Sequence, residues 1–303
     1  MSESRKILVT GANGFVGDRV TRRLVAAGHE VRALVRRAGT APDLGAAGRE
    51  IVGDFTDEAT AIAAADGVDA IVHCAATVGP DLESARHVNV TGTQSMLTAA
   101  ERAAVRRFVH ISTISVYELE GHARVDENSP YKTEGNAYGV SKAEGDELVL
   151  NAVDRVPSVV LRPGAILGLH ETSSWAIRVP EKIRSGEWDV SSLGLGNLPF
   201  LHVEDLVDAV ELALITTEGV GQAFNVADYH GTLLDYANEV RRWFDLAPWD
   251  APDPNAEDAP SFWDGIVTND RIRDVLGYEA KRTYEEGMNE AAAHWREAAS
   301  APK

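Results

Sequence analysis

The sequence predicts an α/β protein: a doubly wound parallel sheet followed by a smaller C-terminal substrate-binding domain. Three observations carry this expectation. Short β-branched runs alternate with longer amphipathic stretches up to about residue 168. The runs are apolar throughout instead of alternating, as strands covered on both faces must be. The first run opens directly into a turn with three glycines and then a helical stretch. At 303 residues the chain can bury a large core and still append a second, smaller one.

Taken in order, Lys6–Thr10, Glu30–Val35, Glu50–Gly53, Asp69–Cys74, Phe108–Ser112 and Ser158–Arg162 read as strands. Between them Val16–Ala27, Thr56–Ala64, Ser84–Ala103 and Ser141–Val153 carry apolar residues at helical spacing. Right-handed crossovers then place helices on both faces of the sheet. After Arg162 the rhythm changes. Residues 169–201 read as irregular, Asp205–Leu214 as a helix and Ala223–Val226 as a short strand. Ala247–Gly265 reads as a long acidic loop and Tyr284–Ala299 as a closing amphipathic helix. The expected boundaries are 1–168, with about 202–228, for a dinucleotide-binding Rossmann domain, and 169–201 with 229–303 for the substrate domain.

A formal charge of −18 disfavours nucleic acid and anionic membranes as partners, because both demand a basic face. A small-molecule substrate is the expected partner. The run Ile7–Val9 is too short for a signal-peptide core, and no apolar stretch approaches the ~20 residues of a membrane helix. The expectation is therefore a cytoplasmic protein. The single cysteine, Cys74, excludes an internal disulfide framework and a cysteine-based zinc cluster. It reads as a buried small hydrophobe, and no metal site is expected.

In Ile7-Leu8-Val9-Thr10-Gly11-Ala12-Asn13-Gly14-Phe15-Val16-Gly17 each glycine has a mechanical task. Gly11 makes the tight turn, Gly14 lets backbone approach a pyrophosphate, and Gly17 packs helix on strand. The helix N-terminus adds free N–H groups and partial positive charge. The second strand ends in Arg36-Arg37, where an NAD enzyme usually carries an acid for the ribose hydroxyl. An arginine there predicts NADP, with NAD as the alternative. Asp54 and Phe55, after the third strand, are placed to contact adenine.

Tyr138 and Lys142 lie four residues apart, on one face of a helix. Moving a hydride to a ketone requires a proton donor at the oxygen, and the reverse requires a base there. A phenol of pKa ~10 is too weak a base at neutral pH. A cation ~4 Å away at an effective dielectric of ~20 is worth about 4 kcal/mol, or roughly 3 pKa units. The expectation is a phenol brought near the working pH. Thr113, at the end of the strand Phe108–Ser112 and 25 positions before Tyr138, can hydrogen-bond the reacting oxygen. Ser112 or Ser115 can share that role, with Ser115 read as a backbone cap.

With these residues at these spacings, the chain resembles the extended short-chain dehydrogenase/reductase family, which also holds the NAD-dependent epimerases and dehydratases. The match covers Thr10–Gly17, Asp54, His73–Ala76, Asn89–Thr93, Thr113, Tyr138–Lys142, Leu161–Gly164, His202–Asp205 and Asp270–Tyr278. The resemblance implies catalysis by Thr113, Tyr138 and Lys142. It implies cofactor contacts at Gly11, Asn13, Gly14, Phe15, Val16, Gly17, Arg36, Asp54, Phe55, Ala75, Ala76, Tyr138, Lys142 and Pro163, with Asn89 behind the lysine. It also implies a homodimer through the helices Ser84–Ala103 and Ser141–Val153, and a structural role for His202 as a helix start.

Within that resemblance the expected activity is a carbonyl reductase. The alternatives are a nucleotide-sugar epimerase holding NAD tightly and a non-catalytic dinucleotide-binding protein. Sugar 4,6-dehydratases follow the catalytic Thr with Asp-Glu, whereas Ile114-Ser115 stand here. Epimerases hold the diphosphate with a cation before the segment matching Phe200–Asp205, and Gly194–Pro199 has none. Arg178, Lys182 and Arg184 lie upstream as substitutes. The presence of both Tyr138 and Lys142 opposes the non-catalytic reading. Trp175, Trp188 and Trp263 read equally as pocket walls or core.

Overall fold

The computed structural model describes residues 4–188, 196–251 and 263–300. Its first half is β1 (Lys6–Thr10), α1 (Phe15–Ala26), β2 (Glu30–Val35), β3 (Arg49–Val52), α2 (Glu58–Ala65), β4 (Ala70–His73), α3 (Leu82–Arg86), α4 (Gly92–Arg102) and β5 (Arg107–Ile111). There follow β6 (Arg124–Val125), α5 (Ala137–Asn151), β7 (Ser158–Pro163), β8 (Ala165–Leu167), α6 (Val179–Ser185), β9 (Asn197–His202) and α7 (Val203–Ile215). The chain closes with β10 (Gln222–Val226), β11 (Tyr229–Thr232), α8 (Leu233–Trp243), β12 (Ile266–Val267), α9 (Asp270–Leu276) and α10 (Tyr284–Ser300).

Seven strands form one sheet in the order β10-β7-β5-β4-β1-β2-β3, and every pair in it is parallel. The order reverses between β1 and β4, which opens a crevice at the carboxyl ends of those strands. Alternate residues of each strand feed two cores. Ile7, Val9, Val31 and Val72 pack with α1 and α7 on one face. Leu8, Leu34, Ile71 and Phe108 pack with α2, α4 and α5 on the other. This is the doubly wound architecture, with strand boundaries within a residue or two of the sequence reading.

Two expectations change. The stretch Ser84–Ala103 is not one regular helix: a π-helical turn, His87–Thr91, separates α3 from α4. A Cβ on Gly92 would collide with the Phe55 ring at 2.3 Å, so only glycine lets α4 lie this close to the β3–α2 connection. Residues 169–201 are also not irregular throughout. Ser173 caps a turn over Ser174–Arg178, which runs into α6, and β9 pairs with both β8 and β11. A third core, of Leu167, Ile183, Phe200, Tyr236 and Met288, joins β8, β9, α6, α8 and α10 beyond the main sheet. Trp188 packs against it. Within the acidic stretch 247–265, residues 252–262 lie outside the described residues, as do Gly194 and Leu195. No helix among the described residues is long and apolar enough to cross a membrane.

Candidate active site

The glycine turn closes as the sequence requires. Gly11 sits at φ +63°, and a Cβ there would stand 2.9 Å from the backbone of Ala75. Ala75 N donates to Thr10 Oγ1 at 3.2 Å, locking the turn to the end of β4. A Cβ on Gly17 would come within 2.0 Å of the Gly11 carbonyl oxygen. Gly14 caps α1 in an extended conformation with no side-chain cap, so the first-turn N–H groups remain available as donors. These donors, at the positive end of a helix of 12 residues, suit a dinucleotide pyrophosphate. We expect Gly17→Ala to abolish dinucleotide binding, read by titrating NADPH fluorescence; retained affinity would overturn the assignment of this turn.

Asn13 Nδ2 donates to Thr40 Oγ1 at 3.2 Å, which brings the loop after β2 against the glycine turn. Arg36 and Arg37 at the head of that loop are exposed, and neither guanidinium has a partner among the described residues. The nearby Glu50 carboxylate accepts from Gly39 N at 2.8 Å and Ala41 N at 3.0 Å, which orders the loop. Phe55 departs from expectation, and Asp54 orders a turn. The Asp54 carboxylate accepts from Thr56 N and Thr56 Oγ1, and Phe55 is buried with its edge on His73. The aspartate stays exposed at that turn, and the phenylalanine serves the core.

Tyr138 and Lys142 sit in the first turns of α5, which starts earlier than the sequence suggested because Asn136 Oδ1 caps Gly139 N at 2.7 Å. Tyr138 and Thr113 line the same cavity, and the Thr113 hydroxyl favours the ionised phenol. Thr113, not Ser115, is the cap here: its Oγ1 accepts from Ser115 N at 3.1 Å. Ser112 Oγ is buried at the same strand end with no partner among the described residues. The lowered phenol is not found. Burial pushes Tyr138 up to about 12 against the opposing effect of the Thr113 hydroxyl. The reason lies in where the ammonium goes. Lys142 Nζ donates to Ile111 O at 2.9 Å and lies 3.1 Å from His110 Nε2. Burial lowers Lys142 to about 8, with Asp146 acting in the opposite direction.

Asn89 bonds Ser141, the residue before the lysine. Asn89 lies in the π-helical turn, and its amide donates to Thr77 O and Ser141 Oγ, docking the β4–α3 connection on α5. The residue against the ammonium is His110, which sequence reasoning missed. The contact spans 32 residues, from strand to helix, so no local spacing announces it. The one available signal was strand alternation, which puts His110 on the same face of β5 as Ser112.

A cavity of about 370 Å³ opens at these strand ends. Phe15 and Val16 of α1 form one wall, and Tyr138, Thr113 and Ser112 form another. Cys74, Ala76, Val78, Pro163, Ile166, Trp175 and Leu198 also line it, and among the described residues no lining residue carries a charge. Trp175 is thus a pocket wall. Cys74 is partly buried, packing on the first core as it lines the cavity, and burial pushes its thiol up to about 12. His202 is the helix start foreseen for it, its Nδ1 accepting from Glu204 N at 3.2 Å. Trp263 packs against the small cluster of Tyr117 and Val125, outside the cavity.

Comparison with known proteins agrees with this geometry. The model of the NAD dependent epimerase/dehydratase family matches residues 7–227. Sterol demethylase protein B of Methylococcus capsulatus is 30% identical over 251 residues, covering 78% of this chain and 73% of its own. A 4-hydroxy-2-methyl-3-oxo-4-farnesyl-3,4-dihydroquinoline-1-oxide ketoreductase of Stigmatella aurantiaca is 27% identical over 319 residues, covering 94% of this chain and 95% of its own. In fold, the Bordetella bronchiseptica enzyme WbmG in complex with NAD aligns at a TM-score of 0.81 and 20% identity, over 98% of this chain and 95% of that one. With its glycine turn, its parallel sheet and a match over most of its length, the chain belongs to the NAD dependent epimerase/dehydratase family.

Proposed function

We propose that this chain is an NADP(H)-preferring oxidoreductase that moves a hydride between the nicotinamide and a ketone or secondary alcohol on an uncharged, largely apolar substrate. The observation that carries the reading is one cavity, without a charged residue among its described lining, that holds the Tyr138 phenol and the Thr113 hydroxyl together with Phe15 and Val16 of the glycine-turn helix. The dinucleotide, when bound, supplies or accepts the hydride. Tyr138 gives its proton to the carbonyl oxygen as the hydride reaches the carbon, and Thr113 and the unpartnered Ser112 hydroxyl steady the oxygen as charge develops. A phenol held at about 12 is protonated at neutral pH, the state that reduction requires of it.

The cavity chemistry supports a reductase over a nucleotide-sugar epimerase. A diphosphate in a chain of charge −18 needs local cations, and among the described residues none lines the cavity. The upstream substitutes do not supply one: Arg178, Lys182 and Arg184 are all exposed away from it, and Arg184 pairs with Glu181 at 2.7 Å. The unpartnered Arg36 and Arg37, with Glu50 spent on backbone N–H groups, support NADP.

The test is consumption of NADPH against a panel of steroid, aromatic and acyl ketones, with UDP-sugars alongside. We expect turnover of apolar ketones, faster with NADPH than with NADH. Losing a charge-assisted contact worth about 1.5–3 kcal/mol, Arg36→Glu should raise the KM for NADPH by roughly 10–100-fold. A preference for NADH would remove the cofactor assignment, and conversion of UDP-sugars without net NADPH consumption would remove the reductase.

A further inference from the structure

We infer that His110, backed by Asp146, is the positioning residue for Lys142, fixing the direction of the ammonium and keeping it charged beneath the Tyr138 cleft. The inference rests on the reading of Tyr138 as the proton donor, since it concerns the cation one turn along α5 from that residue.

Lys142 is 1% exposed, so water cannot satisfy its three donors. Ile111 O takes one at 2.9 Å and His110 Nε2 takes the second at 3.1 Å, which leaves a single N–H without a hydrogen-bond partner among the described residues. An ammonium cannot donate to a nitrogen that already carries hydrogen. The contact therefore assigns the imidazole hydrogen to Nδ1, and His110 is a neutral acceptor. Its surroundings keep the ring neutral, though they leave Nδ1 without a hydrogen-bond partner: the ring is fully buried, stacked on His73 at 5.4 Å, and faces the cations of Lys142 and Arg162.

Asp146 lies one turn beyond Lys142 on α5. Its Oδ2 accepts from Arg162 Nε at 2.8 Å, while its Oδ1 has no hydrogen bond and stands 3.6 Å from the same His110 Nε2. That oxygen projects negative potential across the imidazole edge toward the ammonium. The groups facing Lys142 are thus Asp146 on its own helix, Cys74 after β4, and His110 on β5 with His73 and Arg162 behind it. Burial opposes the charge, and Asp146 favours it. Near such a balance, losing one acceptor decides the protonation state. A histidine that merely filled core space would have no such effect.

The test is NMR of the full chain labelled at lysine Cε, with the Lys142 signal identified by its loss in Lys142→Met. In His110→Phe the Lys142 titration midpoint should fall by about one to two pH units, the loss of one hydrogen bond to a charged group. His110→Gln restores an acceptor and should return the midpoint most of the way. The alkaline limb of NADPH-dependent turnover should move with the midpoint. If His110→Phe does not fold, His110→Met is read the same way. An unchanged midpoint in a folded apolar variant overturns the inference. Turnover surviving in Tyr138→Phe would instead overturn the reading of the phenol, whatever the NMR midpoint does.

Discussion

Tyr138→Phe should lower ketone turnover by about 10²–10⁴-fold, the range general acid catalysis contributes, while NADPH binding stays nearly unchanged. The substitution deletes one oxygen and leaves the ring where it lines the cavity. The other groups at the cavity are poor replacements. Thr113 and Ser112 offer aliphatic hydroxyls, which are weaker acids than a phenol. The site would keep hydride donor and pocket but lose its proton. The measurement is kcat at saturating ketone beside the NADPH affinity from fluorescence. A loss confined to KM would mean that the phenol only binds substrate. Unchanged turnover would take the phenol out of the chemistry altogether.

Much of this was legible in the sequence because the decisive signals are local. Strands buried on both faces announce themselves as unbroken apolar runs, and the requirement for Gly11 and Gly17 follows from one turn of backbone. The four-residue spacing of Tyr138 and Lys142 likewise needs only a helix. What the sequence hid is the direction of side chains whose partners are remote. Lys142 can point at the cleft or at β5, and only the packing of α5 on β5 decides. Phe55 looked available for adenine until α4 came down on it through Gly92. The short elements β8, α6 and β9 went unseen for a related reason. They hold few residues each and owe their shape to the third core, to which Phe200, Tyr236 and Met288 contribute from far along the chain.

Arg162→Met should destabilise the fold by about 3–5 kcal/mol, the cost of stranding one member of a buried ion pair. Arg162 is 1% exposed and Asp146 is fully buried, so neither charge has water to fall back on. The guanidinium donates Nε to Asp146 Oδ2 at 2.8 Å and Nη1 to the Tyr117 hydroxyl at 2.6 Å, and its Nη2 bonds the Tyr131 hydroxyl. Tyr117 in turn donates to Asn225 Oδ1 at 2.7 Å, which extends the network from α5 through β7 to β10. Methionine keeps most of the volume but leaves Asp146 charged in the interior with no partner for Oδ2. Adding Asp146→Leu should therefore recover a large part of the loss, because replacing both charges costs far less than removing one. Urea unfolding measures this through the midpoint at constant slope. If both the single and the double variant stay within about 1 kcal/mol of the parent, the pair is not the clamp described here. A clamp that holds would also explain why Asp146 can afford an unpaired oxygen beside His110: Arg162 anchors the carboxylate from behind, so the same residue stabilises the fold and lends its field to the site.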